Sequence, residues 1–141
     1  MYARSRRVKA EDNRHGLQFD SGDELKRYEY LLLRRAAHEI GAIEHHPRFD
    51  LVVADIETGD QVLIGFYEAD FRYFDYALRD FVVEDVKGAM WIKKQSKRRG
   101  VVVREWKERA PILDDVYKLK KKIVEARYGI RIIEVWDGQQ H

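Results

Sequence analysis

Cysteine is absent from these 141 residues. Its absence excludes a disulfide framework and any thiolate zinc centre. Proline is nearly absent: Pro47 and Pro111 are the only two, and neither marks an interdomain linker. No apolar run approaches the roughly 20 residues needed to cross a bilayer. The opening stretch MYARSRRVKAEDNRHG lacks the apolar stretch of a signal peptide. Internal repeats and low-complexity segments are missing, as are a Gly-rich phosphate loop and a G-x-S-x-G elbow. Net charge is small, +2, so bulk basicity does not announce a polyanionic partner. A soluble, cytoplasmic protein is the expectation.

What is present is enough for a core. Hydrophobic residues make up 45%, which argues against disorder and for one packed domain over 17–141. Residues 1–16 read as a basic arm. Positive charge is clustered rather than spread. It collects in Arg4, Arg6, Arg7 and Lys9, in KKQSKRR (93–99) and in KLKKK (118–122). Such patches either track phosphates or are the solvated faces of helices and strands.

Element signals are clear in places. Ser21 followed by Glu24 is a capping-box pattern, and Leu25, Tyr28, Leu32, Ala36 and Ile40 recur at helical spacing. A helix over 22–40 is predicted, with Gly41 as its left-handed stop. Three strands follow as an antiparallel meander: one through Phe49, Leu51 and Val53, one over QVLIGFYEADFRYFDY, and FVVEDVK. The second is expected to place Leu63, Tyr67, Ala69, Phe71 and Tyr73 on one face. The 88–110 stretch reads as a basic excursion, either a hairpin turning at SKRRG or a flexible loop. A second helix should start near Pro111 and stop at Gly129, with Ile112, Val116, Leu119, Ile123 and Ala126 as its apolar stripe. IRIIEVWD ends the chain as a strand. Helix, three strands, helix, strand describes an α/β or α+β fold with a mixed central sheet.

The charged residues inside the third strand carry the chemistry. Alternation puts Asp85 and Lys87 on one face and Glu84 and Val86 on the other. Buried unpaired, such charges would be costly. Folding the preceding hairpin back brings Asp70 beside Asp85. Converging carboxylates suit Mg²⁺ or Mn²⁺, which polarises a phosphodiester and activates water. Lys87 would orient that water and offset growing negative charge. Glu24 supplies a third carboxylate if its helix packs over the strands. The bland readings are a capping acid at Glu24 and a strand-end ion pair at Asp85 and Lys87. His45 and His46, adjacent in a strand, should point to opposite faces, which argues against one zinc ion using both. Trp91 and Trp106 bracket the basic stretch, as stacking platforms for bases or as half-buried hairpin supports.

Taken in order, FDSGDELKRY, HHPRFDL, FYEADFRYF, VVEDVKG and YKLKKKIVEARYGI resemble the PD-(D/E)xK nucleases, the restriction-endonuclease-like superfamily. The similarity spans roughly residues 19–135. It is nearest to the small phage-encoded branch compared with Holliday-junction resolvases. The resemblance implies a restriction-endonuclease-like core, with Asp70 and Asp85 as metal-binding acids. Val86 would lend its backbone carbonyl, Lys87 would be the motif lysine, and Glu24 would match the helix acid of many members. Lys118 and Lys120 would face the scissile phosphate or its neighbours. Two departures stand out: Glu68-Ala69 precede Asp70 in place of the motif proline, and His46-Pro47 stand where relatives carry Gln-Pro.

The expected function is a divalent-metal-dependent endonuclease on branched DNA, cutting four-way junctions to 5′-phosphate ends. The near two-fold symmetry of a junction suggests a homodimer. Arg4, Arg6, Arg7, Lys93, Lys94, Lys97, Arg98 and Arg99 are candidate phosphate contacts. Two other readings stay open: a single-strand or end-processing nuclease, and a non-catalytic DNA-binding or packaging accessory protein.

Overall fold

The structure, a computed structural model, describes residues 15–141. Arg4, Arg6, Arg7 and Lys9 lie outside the described residues. The fold is mixed α+β. Two helices, α1 (Gly22–Ala36) and α2 (Asp115–Tyr128), accompany a five-stranded sheet and two separate hairpins. No helix among the described residues is long and apolar enough to cross a membrane.

The sheet is built from β1 (Glu44–His45), β4 (Phe71–Asp75), β5 (Asp80–Val86), β8 (Ile132–Trp136) and β9 (Gln139–Gln140), in that spatial order. β5 and β8 run parallel and every other pair is antiparallel, so the sheet is mixed. One hairpin joins β2 (Arg48–Ala54) to β3 (Gln61–Glu68). The other joins β6 (Ala89–Arg98) to β7 (Val101–Pro111) and turns at Arg99 and Gly100, both at positive φ. The expected three-strand meander is therefore divided. The run read as one strand from Gln61 to Tyr76 breaks at Ala69 and Asp70. Before the break it pairs with β2; after it, with β1 and β5.

That break also exchanges faces. Tyr67 and Ala69 pack with Leu51, Val83, Tyr117, Val124 and Ile132, beneath α2. Phe71 and Tyr73 pack on the other side, with Phe19, Leu31, Ile40 and Val82, beneath α1. Alternation predicts one face for all four. It fails because an irregular step resets the pleat. Upstream, Leu63 is 61% exposed, so the expected apolar face of β3 is solvated at its far end.

α1 starts as predicted: Ser21 caps it, its Oγ accepting from the Glu24 amide at 3.2 Å. It ends four residues sooner than predicted. His38, at φ 58°, takes the left-handed stop assigned to Gly41, and Ile40 bridges to Asp75 instead. The inward side of α1 carries Glu24, Arg27 and Leu31, a face only partly apolar. α2 is capped by Asp114 rather than Pro111, which ends β7. Gly129, at φ 64°, stops α2 as expected. The apolar stripe of α2 is rotated: Tyr117 and Val124 are buried, while Val116 and Leu119 are exposed. A further turn at Asp137 and Gly138 returns the chain as β9, which the sequence did not announce.

Candidate functional site

The register of β4 and β5 pairs Phe71 with Glu84. The ladder ends there, and the hairpin brings Asp70 near enough to Asp85 for their charges to interact. Asp70 sits at the strand break, held by its backbone on both sides. Its amide donates to Glu84 O at 3.0 Å, and its carbonyl accepts from the His46 amide at 2.9 Å. Its carboxylate Oδ2 accepts from the Val86 amide at 2.6 Å. Val86 thus meets Asp70 through its N–H.

Alternation along β5 holds. Asp85 faces α2, where Tyr67 donates its hydroxyl proton to Oδ2 and Lys87 Nζ lies 2.9 Å from Oδ1. Lys87 also sits 3.5 Å above the Tyr117 ring, a cation–π contact. The Tyr117 hydroxyl is buried without a hydrogen-bond partner among the described residues. Burial and the Asp85 charge push the Tyr67 and Tyr117 phenols up, so both stay protonated. Burial, Asp85 and Glu24 together push the Asp70 carboxyl well above the ordinary carboxylate range. A local cation is what would let Asp70 ionise there.

Glu84 points away from this group, as its parity requires. Its carboxylate, fully buried, accepts from Arg27 Nε at 2.8 Å and Nη2 at 2.5 Å, from Tyr73 Oη at 2.6 Å and from Gln140 Nε2 at 2.7 Å. This network pins α1 to the sheet. Alternation turned Glu84 to the opposite face, but its partners could not be read from the sequence, because Arg27 and Gln140 lie 57 and 56 residues from it.

Glu24 is 1% exposed. Its Oε2 accepts from the Asp20 amide at 2.9 Å, close to the capping-box arrangement. Its Oε1 meets two imidazoles, His45 Nε2 at 3.0 Å and His46 Nε2 at 2.7 Å. Burial pushes this carboxyl up, but hydrogen bonds from His45, the Asp20 amide and His46 outweigh it, and the net effect is downward. Both histidines therefore serve one point, contrary to the opposite-face expectation. His46 adopts φ 55°, a left-handed kink that breaks alternation, and the two rings stack at 3.7 Å. No sequence signal announced that kink, since the residue is not glycine. Two sets of donors here have a geometry open to a metal: Glu24, His45 and His46, and Asp20, Glu24, His46 and Asp70.

The remaining candidates separate into two groups. Lys93, Lys94, Lys97, Arg98 and Arg99 are exposed along the β6–β7 hairpin. Lys118 is exposed and nearest to Asp115 at 3.9 Å; Lys120 Nζ lies 5.9 Å from the Phe66 ring. Neither has a polar contact with Asp70 or Asp85. Lys121, not singled out from the sequence, pairs with Glu134 at 2.7 Å. Trp106 is half-buried and donates to Glu108 at 2.7 Å. Trp91 is 63% exposed, which corrects the reading of both tryptophans as half-buried supports.

No curated protein and no solved structure matches this chain. A protein-family model described as "Protein of unknown function (DUF1064)" matches residues 5–110, a span that includes Glu24, His45, His46, Asp70, Asp85, Lys87 and nearly all of the β6–β7 hairpin. The chain belongs to the DUF1064 family.

Proposed function

We propose that the protein is a divalent-metal-dependent DNA endonuclease with a restriction-endonuclease-like core, acting on branched DNA and most simply on four-way junctions. The carrying observation is one juxtaposition. Asp70, at a strand break, reaches the Val86 amide with its carboxylate and lies within electrostatic reach of Asp85, which holds Lys87 at 2.9 Å. The donors are carboxylate oxygens, the chemistry that suits Mg²⁺ or Mn²⁺. The upward push on Asp70 fits a place made for a cation. When bound, that ion supplies Lewis-acid polarisation of the phosphate and an activated water.

In this reading the chain's own residues do the following. Asp70 and Asp85 would hold the ion, and Glu24 would add a third carboxylate. The Tyr67 hydroxyl fixes the Asp85 carboxylate in place. The Lys87 ammonium, steadied over the Tyr117 ring, offsets charge growing on the phosphate oxygens. The product ends would carry 5′-phosphates.

The β6–β7 hairpin supports a DNA partner. Residues 89–111 hold eight lysines and arginines against two glutamates. Lys93 and Lys107 stand directly opposite one another. Like charges in that position destabilise a ribbon, and a polyanion would relieve them. Ten residues at about 3.3 Å each reach about 33 Å, close to one turn of duplex, and a two-stranded ribbon fits a major groove. Arg109 lies over exposed Trp91 at 5.3 Å, so a flat stacking surface lies beside the lysines. Paired cuts on a junction call for a homodimer, and size-exclusion chromatography with light scattering tests that.

One observation favours a second reading, a non-catalytic DNA-binding protein on the same fold. Both Asp85 oxygens already have partners in Tyr67 and Lys87. Asp85→Asn separates the two. Four-way, three-way, flap and linear DNA are incubated with Mg²⁺ or Mn²⁺, and binding is measured in parallel. A nuclease cuts at least one of them as wild type and loses cleavage, while keeping binding, as Asp85→Asn. Wild-type protein that binds DNA and cuts none of the four sinks the enzyme reading.

A further inference from the structure

We propose that Glu24, His45 and His46 form a binding site for a divalent transition-metal ion of the zinc or manganese class, adjoining Asp70, whose carboxylate lies within 4.8 Å of the Glu24 and His46 ligand atoms. The three ligand atoms, Glu24 Oε1 and the two Nε2 atoms, lie within 4.8 Å of one another. Tetrahedral ligands at about 2.0–2.1 Å from a metal are about 3.4 Å apart. The present 2.7 and 3.0 Å contacts need only a small opening to admit an ion. Imidazole nitrogens with one carboxylate select transition metals over Mg²⁺.

The site is built, not incidental. Glu24 and His45 are 2% and 15% exposed at their side chains, so water competes weakly. The His45 ring is lodged against Phe19 at 5.0 Å and Phe71 at 5.8 Å, which fixes the direction of its Nε2. His46 reaches the same point through a left-handed backbone, a conformation that costs a non-glycine residue energy and marks functional places. The outer support of a metal histidine is also present. His46 Nδ1 lies 3.4 Å from Glu68 Oε1, and a carboxylate on the far nitrogen is what orients a metal-bound imidazole.

The competing account is a plain hydrogen-bonded cluster in which protons fill the gap. It handles the geometry badly. Two ring nitrogens converge on the one Glu24 oxygen at 3.0 and 2.7 Å, and the rings that carry them stack at 3.7 Å, which crowds two donors onto a single acceptor. One central ion replaces both Nε2 protons and neutralises Glu24 at once.

The test uses the full chain and reads the metal, not cleavage. Co²⁺ is titrated into protein and followed by its visible d–d absorption, with Zn²⁺ calorimetry in parallel. Intense bands of a low-coordinate nitrogen-ligated centre that saturate at one ion per chain are expected, an oxygen-ligated ion at Asp70 and Asp85 adding only weak absorption. His45→Ala and His46→Ala should each weaken binding at least tenfold, whereas Asp85→Asn should leave the bands and the affinity unchanged. Fold is checked by circular dichroism. Should an alanine variant unfold, histidine ring resonances of wild-type protein, followed during Zn²⁺ addition, replace it; both rings must shift together. The proposal is overturned if wild type gives only the weak spectrum of hydrated Co²⁺, if the histidine variants bind as tightly, or if Asp85→Asn abolishes binding. A wild type that cuts no DNA would sink the nuclease reading and leave this one standing.

Discussion

Arg27 and Glu84 give the sharpest test of how this fold is held. Their side chains are 6% and 0% exposed and joined by two N–H···O bonds. Two unit charges about 4 Å apart attract by about 4 kcal/mol at an effective dielectric near 20. Removing one partner from a buried pair costs about 3–5 kcal/mol, chiefly because the other charge is stranded. Arg27→Met should therefore lose about 3–5 kcal/mol, or roughly 12–20 °C in Tm for a chain of this length. The double variant Arg27→Met/Glu84→Leu strands no charge. It leaves the Tyr73 hydroxyl and the Gln140 amide short of an acceptor, an expected cost of about 1–3 kcal/mol. The double variant should thus be more stable than the single one. Urea melts at pH 7, followed by circular dichroism, measure all three proteins. A double variant no more stable than Arg27→Met would refute the stranded-charge account.

Three further outcomes are expected. Asp70 titrates above its unfolded value because of burial, Asp85 and Glu24. The folded state then binds the extra proton, and stability falls as pH rises through that window. In chelator, Asp70→Asn should be more stable than wild type at neutral pH, with the advantage fading as pH falls towards about 3.9; lower stability at pH 7 would contradict this. Lys93→Ala/Lys107→Ala should lower the salt slope of DNA binding by about 2, with no loss of thermal stability because the two charges oppose one another; an unchanged slope removes them from the interface. Gly129→Ala meets open space but a left-handed backbone at φ 64°, so about 1–2 kcal/mol should be lost in a chemical melt.

How legible all this was in the sequence depended on the range of each signal. Ser21 and Glu24 marked a helix start because capping is settled within one turn. The parity of Glu84, Asp85 and Lys87 held because β5 is a regular strand with neighbours on both sides. The nearness of Asp70 to Asp85 followed from a short turn. What failed was non-local or irregular. The break at Ala69 and Asp70 is made by competition between two partner strands, which no local pattern encodes. The kink at His46 has no glycine to announce it. The buried face of α2 was misjudged because Tyr117, which is not in the predicted stripe, is the residue that enters the core, while Val116 and Leu119 stay outside.

The division of the long strand at Asp70 has a consequence for how this chain can vary. A one-residue insertion in a strand normally inverts every side chain beyond it. Here β3 pairs only with β2, whereas β4 pairs with β1 and β5. An insertion within residues 61–64, all exposed, shifts the tip of one hairpin and leaves Tyr67 in its place against Asp85. The same insertion within residues 71–75 turns Phe71 and Tyr73 out of the core and moves Asp70 off Asp85. Length changes are thus tolerated on one side of Asp70 and lethal on the other, and the hairpin is free to lengthen or shorten without disturbing the acids beside it.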